Sequence, residues 1–225
     1  MNCPQYASLQ SLLQEIAPRR VLIGHKIIAE GDEQALLAEE RGVFTGSVVK
    51  VRRASGAARM VARELMRRMD VAPQPVIKAD GGMPTWPDGM VGSLAHDATV
   101  AVAALASRDD YLSIGIDIEP AEPLDPDLLD MVATPGERAA IEEGIRKTIQ
   151  AAPLHGRLLF AIKEAVYKAA YPLDRVFLDH HDVEVDFAAR TAAIRDSRTV
   201  RFTFGQCSHI AVLAFIPATQ AEPER

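Results

Sequence analysis

Two short stretches of this 225-residue chain place acids and bases where chemistry could use them. In Ile114-Gly-Ile-Asp-Ile-Glu119, a β-strand would alternate its side chains, so Ile114, Ile116 and Ile118 take one face while Asp117 and Glu119 share the other. Like charges at i and i+2 repel, and a hard divalent cation such as Mg²⁺ is a natural reason to keep them together. Two surface acids on a solvated strand would show the same pattern. In Leu158-Leu-Phe-Ala-Ile-Lys-Glu-Ala-Val-Tyr-Lys168, Glu164 and Lys168 stand one helical turn apart and point the same way. Lys163 and Tyr167 lie on the adjacent line. An ordinary surface ion pair has that spacing too. Together the two motifs carry more than either alone: a metal site of Asp117, Glu119 and Glu164, with Lys168 beside it, acting on a phosphate-bearing substrate.

The elements that must position these residues follow from apolar periodicity. Residues 9–16 read as a helix, 21–28 as a short strand and 35–38 as a short helix ending near Gly42. A longer helix is expected from about Ser55, where Ala58, Val61, Ala62, Leu65 and Met69 recur at helical spacing and leave a cationic edge. The Gly- and Pro-rich stretch 80–89, with the only tryptophan, must be an ordered loop. Strands are expected at 100–106 and 112–119, on either side of a turn at 108–110. Helical patterns follow at 128–131 and at 135–150, the latter capped by Thr134 with Pro135 in its first turn. A further helix spans 158–170 and stops at Pro172. Strands at 183–187, 201–204 and 209–216, with a turn near 195–197, complete the pattern. The fold class is α+β, and a helix-plus-strand pattern in each half permits a tandem of two similar α/β units. The halves run 1–108 and 109–217, and 218–225 is a tail expected to be disordered.

Bulk composition narrows the function classes. An apolar fraction of 48% suits a globular core. No apolar run reaches the ~18 residues of a membrane span, and the first residues lack a secretory pattern, so the expectation is a cytoplasmic protein without a membrane partner. Cys3 and Cys207 are too few for a disulfide framework or a zinc site. The net charge of −6 argues against nucleic acid as a partner. It hides opposite segments, however. Between residues 50 and 70, Lys50, Arg52, Arg53, Arg59, Arg63, Arg67 and Arg68 face only Glu64 and Asp70, a candidate anion-binding face. Between 117 and 143, nine acids face only Arg138.

The acid pair, the Lys-Glu-x-x-x-Lys helix and Gly92-Ser-Leu-Ala-His96 after a Trp-Pro loop, in this order, resemble the 4'-phosphopantetheinyl transferases. The likeness is to the enterobactin-synthase-component (Sfp-type) group. The family signature Gly-Ile-Asp-x-Glu matches Gly115–Glu119, and Phe-Ser-x-Lys-Glu-x-x-x-Lys-Ala matches Phe160–Ala169 with Ala161 in place of Ser. The resemblance covers about residues 52–172.

The resemblance implies the fold, two α/β halves with pseudo-two-fold symmetry and the coenzyme A site between them, and it implies the chemistry. Members move the phosphopantetheine arm of coenzyme A to a serine of an apo acyl or peptidyl carrier protein, releasing adenosine 3',5'-bisphosphate. By position, Asp117, Glu119 and Glu164 would hold Mg²⁺ against the pyrophosphate, and Glu164, or water on the metal, would deprotonate the serine. Lys168 would contact the transferring phosphate, and Lys163 would help to neutralise the diphosphate. Ser93 and His96 are candidate coenzyme A contacts. Arg52, Arg53 and Arg59 fall where the family binds the 3'-phosphate end, although Arg52-Arg53-Ala-Ser-Gly departs from the usual Arg-Arg-x-Glu-Phe, which makes Arg59 the safer choice. Lys78 is a further candidate. Two halves in one chain make a monomer sufficient. The residues alone leave open a metal-dependent hydrolase of nucleotide pyrophosphates or a non-catalytic coenzyme A or carrier-binding module. The carrier could serve siderophore, other nonribosomal peptide, polyketide or fatty-acid synthesis.

Overall fold

A computed structural model describes residues 4–147, 154–195 and 198–219 of the chain. Helix α1 (Pro4–Ile16) is followed by β1 (Leu22–Ile27), a series of single turns that includes α2 (Ala38–Arg41), and α3 (Val49–Arg68). A loop then leads into β2 (Met90–His96) and β3 (Val100–Ser107), which join β1 in an antiparallel sheet of order β1-β3-β2. Beyond the turn at 108–110 come β4 (Tyr111–Pro120), α4 (Pro126–Val132), α5 (Pro135–Lys147) and α6 (His155–Asp174). Strands β5 (Val183–Asp186), β6 (Thr191–Ile194), β7 (Thr199–Gln206) and β8 (His209–Pro217) follow, giving a second antiparallel sheet of order β4-β8-β7-β6-β5. The architecture is a two-half α+β fold in which a twenty-residue helix lies on an antiparallel sheet, twice over.

Period-two burial explains how the layers stack. In β3, Ala103 and Leu105 meet Val61, Ala62, Leu65 and Met66 of α3, whereas Val100, Val102, Ala104 and Ala106 face the second sheet. Across from them stand Ile114, Ile116 and Ile118 of β4 and Ala211, Leu213 and Phe215 of β8. The alternate residues Ile210, Val212 and Ala214 point the other way, into the core under α6. The order of layers is therefore α3, first sheet, second sheet, α6, held by non-directional apolar burial on both faces of each sheet. Helix α1 inserts Leu9, Leu12, Leu13 and Ile16 into the middle layer. Its end is tied to β7 by Thr203 Oγ1, which donates to Ile16 O at 2.5 Å.

Some boundaries differ from the sequence pattern. The cationic helix α3 begins at Val49 rather than Ser55, because Val49 and Val51 lack the spacing of a core stripe and are exposed. Strand β2 carries Gly92 and follows Gly89, punctuation that reads as loop. The short helix expected at 35–38 is broken into turns around α2. Helix α6 continues through Pro172 to Asp174, since a proline in the last turn interrupts few following bonds. Strand β6 was hidden in the 187–201 interval. Residues 148–150 of the expected long helix, 196–197 of the expected turn and 220–225 of the expected tail lie outside the described residues, and Pro217 belongs to β8.

Each half anchors its long helix through one buried glutamate at the third position of a neighbouring helix. Glu40 of α2 is fully buried. Its carboxylate accepts from Leu37 N (2.8 Å), Val76 N (2.8 Å) and Arg63 Nη1 (2.9 Å). Glu137 of α5 accepts from Thr134 N (2.8 Å), Val185 N (2.9 Å) and Lys163 Nζ (2.7 Å). Glu137 N in turn donates to Thr134 Oγ1 at 3.3 Å, completing a capping box. Removing one partner of such a pair leaves a buried charge uncompensated. Glu137→Gln should lower unfolding free energy by about 3–5 kcal/mol in a urea titration; a change below ~1 kcal/mol would show that Lys163 does not depend on it.

Candidate active site

The site begins where a side chain is missing. A Cβ at Gly115 would lie 2.0 Å from Ala165 O and 2.6 Å from Ala169 N, so the backbone of α6 rests directly on β4 there. Asp117 is two residues further on the same face of β4, and Glu164 and Lys168 flank the contact on α6. Lys168 Nζ donates to Asp117 Oδ1 at 2.6 Å and to Ile116 O at 3.2 Å. Glu119 accepts from Arg157 Nη1 at 2.9 Å, and the same guanidinium donates to Glu122 O and Pro123 O. Among the described residues Glu164 makes no hydrogen bond or ion pair, and Asp117 Oδ2 is buried without a partner.

Burial sets the electrostatics of all three carboxyls above the usual carboxylate range. For Asp117 desolvation pushes the pKa up against the opposing charge of Lys168. For Glu119 burial and then Asp117 raise it, with Arg157 opposing. For Glu164 burial leads again, Lys168 opposing and Asp117 adding. The charges therefore share one field, in which Lys168 and Arg157 act as counter-ions. Among the described residues no group of three or more His, Cys, Asp or Glu side chains is drawn together for a metal ion. The donor chemistry nonetheless suits a hard cation: three carboxylates, one with an unsatisfied buried oxygen.

Glu164 and Lys168 open onto a cleft of about 460 Å³ where the edge strands β2 and β4 of the two sheets meet. Gly81, Gly82, Trp86, Gly92 and Ser93 line one wall, and Glu164, Tyr167, Lys168, Tyr171 and Arg175 line the other. Gly81 and Gly82 have φ of 78° and 89°, the left-handed region that favours glycine. A Cβ on Gly81 would also strike the Tyr171 hydroxyl, and one on Gly92 would strike the Trp86 ring. The lining includes the aromatic rings of Trp86, Tyr167 and Tyr171 and the cations Lys168, Arg108 and Arg175, which is suited to an anionic ligand with a flat or apolar portion.

The structure gathers only part of the expected set. Glu164, Lys168 and the buried Ser93 line the cleft, whereas Asp117 is held by Lys168 and Glu119 by Arg157 without lining it. His96 ends β2 with part of its ring in solvent. Packing against that ring lowers its pKa, the Asp97 carbonyl works against this, and Lys168 reinforces it. Lys78 is exposed, its Cε 3.2 Å from where a Gly82 Cβ would stand, on the outer side of the glycine turn. Lys163 does not face the cleft. It is 2% exposed, and its ammonium donates to Val132 O, Glu137 and His180 O, all three protons used. Arg59 likewise is buried, donating to Val76 O and Ser55 O and stacking over Phe44. Arg53 pairs with Glu33 and Glu30, and Arg52 donates to Ser47 O. The cationic face of α3 is largely occupied within its own half.

Several lining residues escaped sequence reasoning. Glu164, Lys168, Tyr171 and Arg175 fall at i, i+4, i+7 and i+11, a single stripe that a helix read past Pro172 would have shown. Trp86 and Arg108 carry no such signal, being brought in by loops.

Behind the cleft, His209 Nε2 lies 3.0 Å from Asp97 Oδ2, and His209 Nδ1 lies 3.0 Å from Ser208 Oγ. Burial alone would raise the Asp97 pKa, but His209 and the amides of Thr99 and Val100 outweigh it and hold the group at about 2.

Two sheets meeting at an acid-bearing edge strand, with a Glu-x-x-x-Lys helix laid across it, give the chain the layout of the phosphopantetheinyl transferases. Comparison with known proteins agrees. The description "4'-phosphopantetheinyl transferase N-terminal domain" matches residues 38–106, and "4'-phosphopantetheinyl transferase superfamily" matches residues 113–213. The chain belongs to the 4'-phosphopantetheinyl transferase superfamily. It is 40% identical over 151 residues to 4'-phosphopantetheinyl transferase PptT of Mycobacterium tuberculosis, covering 67% of this chain and 65% of that protein. To 4'-phosphopantetheinyl transferase Npt of Nocardia iowensis it is 36% identical over 176 residues, covering 78% and 77%. To enterobactin synthase component D of Salmonella typhimurium it is 35% identical over 117 residues, covering 50% and 45%. The matched stretch thus spans a little under two thirds of PptT's length. No helix among the described residues is long and apolar enough to cross a membrane.

Two outcomes follow from this geometry. Gly115→Ala should separate α6 from β4, costing about 1–3 kcal/mol of stability in chemical denaturation; an unchanged midpoint would mean the contact is not tight. Asp97 has a depressed pKa, so its contribution is present above the unfolded value of 3.8 and is lost as pH falls towards about 2. Asp97→Asn should therefore be about 2 kcal/mol less stable at pH 7. The gap should narrow in urea titrations below pH 4, and a gap independent of pH would contradict the assignment.

Proposed function

We propose that the chain transfers the 4'-phosphopantetheine group of coenzyme A to a serine of an apo carrier protein, releasing adenosine 3',5'-bisphosphate. The observation that carries this reading is the placement of Glu164 and Lys168 on the wall of a cationic, aromatic-lined cleft between the halves, with Asp117 ion-paired to Lys168. Its family membership and the names of its relatives support the same reaction. Lys168 is the cation nearest the reacting groups, and it stabilises negative charge on the transferring phosphate where water is partly excluded. Glu164, with no competing hydrogen bond and a pKa raised by burial, takes the proton from the serine hydroxyl. The serine oxygen forms a bond to the phosphorus next to the pantetheine, and the phosphoanhydride bond breaks with its electron pair leaving on the nucleotide phosphate. Ser93 and His96 orient coenzyme A from the β2 side, and Trp86, Tyr167 and Tyr171 give its uncharged portions an apolar surface.

Asp117, Glu119 and Glu164 are the residues that would hold Mg²⁺. Bound there, the cation would neutralise diphosphate charge as the anhydride breaks. The unpartnered Asp117 Oδ2 is the feature of the structure that fits it. Enterobactin synthase component D is named for a siderophore assembly, so peptidyl carriers of nonribosomal synthesis are the first acceptors to assay.

The test incubates the chain with an apo carrier, coenzyme A and Mg²⁺ and weighs the carrier by mass spectrometry. A phosphopantetheine gain is expected, and Glu164→Gln should reduce its rate by about a hundredfold or more with an unchanged circular dichroism spectrum. Consumption of coenzyme A without carrier modification would favour a pyrophosphate hydrolase instead.

A further inference from the structure

The apolar surfaces that face each other across the middle layer fix how far apart the two sheets lie, but they resist sliding weakly because apolar burial has no direction. Strands of one sheet pair only with strands of the same sheet. The register of the cleft, β2 on one side and β4 on the other, must therefore be set by directional contacts between halves. Several lie away from it. Arg20 pairs with Asp110 at an exposed position, Tyr111 donates its hydroxyl to Arg19 O, and Thr203 reaches the end of α1.

The Asp97–His209 contact differs in burial and in place. Its side chains are 10% and 8% exposed. Asp97 directly follows His96, and its Oδ1 accepts from Thr99 N at 2.6 Å and Val100 N at 2.7 Å, so the carboxylate cannot move without the β2–β3 turn. His209 opens β8 opposite Pro120, the residue after Glu119. Its neighbour Ser208 accepts from Ala121 N at 3.2 Å through its carbonyl and holds His209 Nδ1 through its hydroxyl. One side chain is thus fixed to the end of the strand carrying Ser93 and His96, and the other to the end of the strand carrying Asp117 and Glu119. Neither lines the cleft.

We propose that Asp97 and His209 are positioning residues that lock the β2 wall of the cleft in register with the carboxylates of β4. The kinetic part of this inference rests on the transferase reading, but its structural part does not. A directional bond of this kind matters because displacing a bound substrate by about 1 Å from its reacting partners can cost a hundredfold in rate.

The experiment compares His209→Phe, which keeps a ring but withdraws the donor from Asp97, with His209→Gln, which offers an N–H at a similar reach. His209→Phe should lower kcat/KM for coenzyme A by about a hundredfold while the carrier KM stays within about twofold. His209→Gln should recover most of the loss. Amide exchange should quicken in His209→Phe at Val100 and Ala121 together, leaving the centre of β3 and β8 protected. A folded His209→Phe with wild-type kinetics, a His209→Gln no better than His209→Phe, or exchange quickened evenly through both sheets would each overturn the proposal. If His209→Phe does not fold, His209→Asn, which keeps the bond to Ser208, is read in its place, and loss of folding there too would make the pair a stability element only. If the wild-type chain modifies no carrier, the transferase reading fails, and the paired amide-exchange response alone decides the positioning role.

Discussion

The approach of α6 to β4 at Gly115 is the constraint on which the cleft depends. With the Ala165 carbonyl at the place a side chain would occupy, the helix is held against the strand at backbone distance, and its rotation is fixed by the small residues Ala165 and Ala169. That rotation brings Lys168 within a short ion pair of Asp117 and leaves Glu164 facing the opening. A larger residue at 115 would lift the helix and separate acid from base. The chemistry of the site thus begins in packing: an absent methyl group determines which charges meet.

Cations in this chain fall into two populations that composition does not distinguish. Arg59, Arg63 and Lys163 are interior groups, each committed to backbone carbonyls or to Glu40 or Glu137, and their burial is tolerable only because those partners are in place. Lys168, Arg108 and Arg175 line a cavity and retain capacity for a ligand. The matching roles of Glu40 and Glu137, each third in its own helix and each gripping the twenty-residue helix of its half, are the clearest local expression of the repeated architecture. They also explain why Lys163, one residue from Glu164, turns away from it: consecutive helical positions point about 100° apart, and the Lys163 side is the interior.

Legibility followed the range of the interactions. The alternation Ile114, Ile116, Ile118 against Asp117 and Glu119 depends only on strand period, and Glu164 with Lys168 only on helix period, so both were readable from neighbouring residues. The fate of Arg53, Arg59 and Lys163 was not, because their acceptors Glu33, Glu40 and Glu137 lie 19 to 26 residues away with no periodic relation to them. Strand β2 was obscured by its own glycine, whose function is to let Trp86 lie against the sheet. The pairing of Asp97 with His209 spans the whole interval between the halves, and nothing local marks either residue.

The placement of α1 has a consequence for how the chain is made. Its apolar side is covered by the middle layer, and the bond from Thr203 to Ile16 closes a separation of 187 residues. During synthesis from the N-terminus, α1 emerges long before β7 and β8, its partners in the second half. Leu12 and Ile16 therefore stay uncovered until nearly all the described chain has left the ribosome, an interval of about ten seconds or more at ordinary elongation rates. The nascent protein spends that interval with a greasy helix to shield, and its final closure is a long-range event rather than a local one.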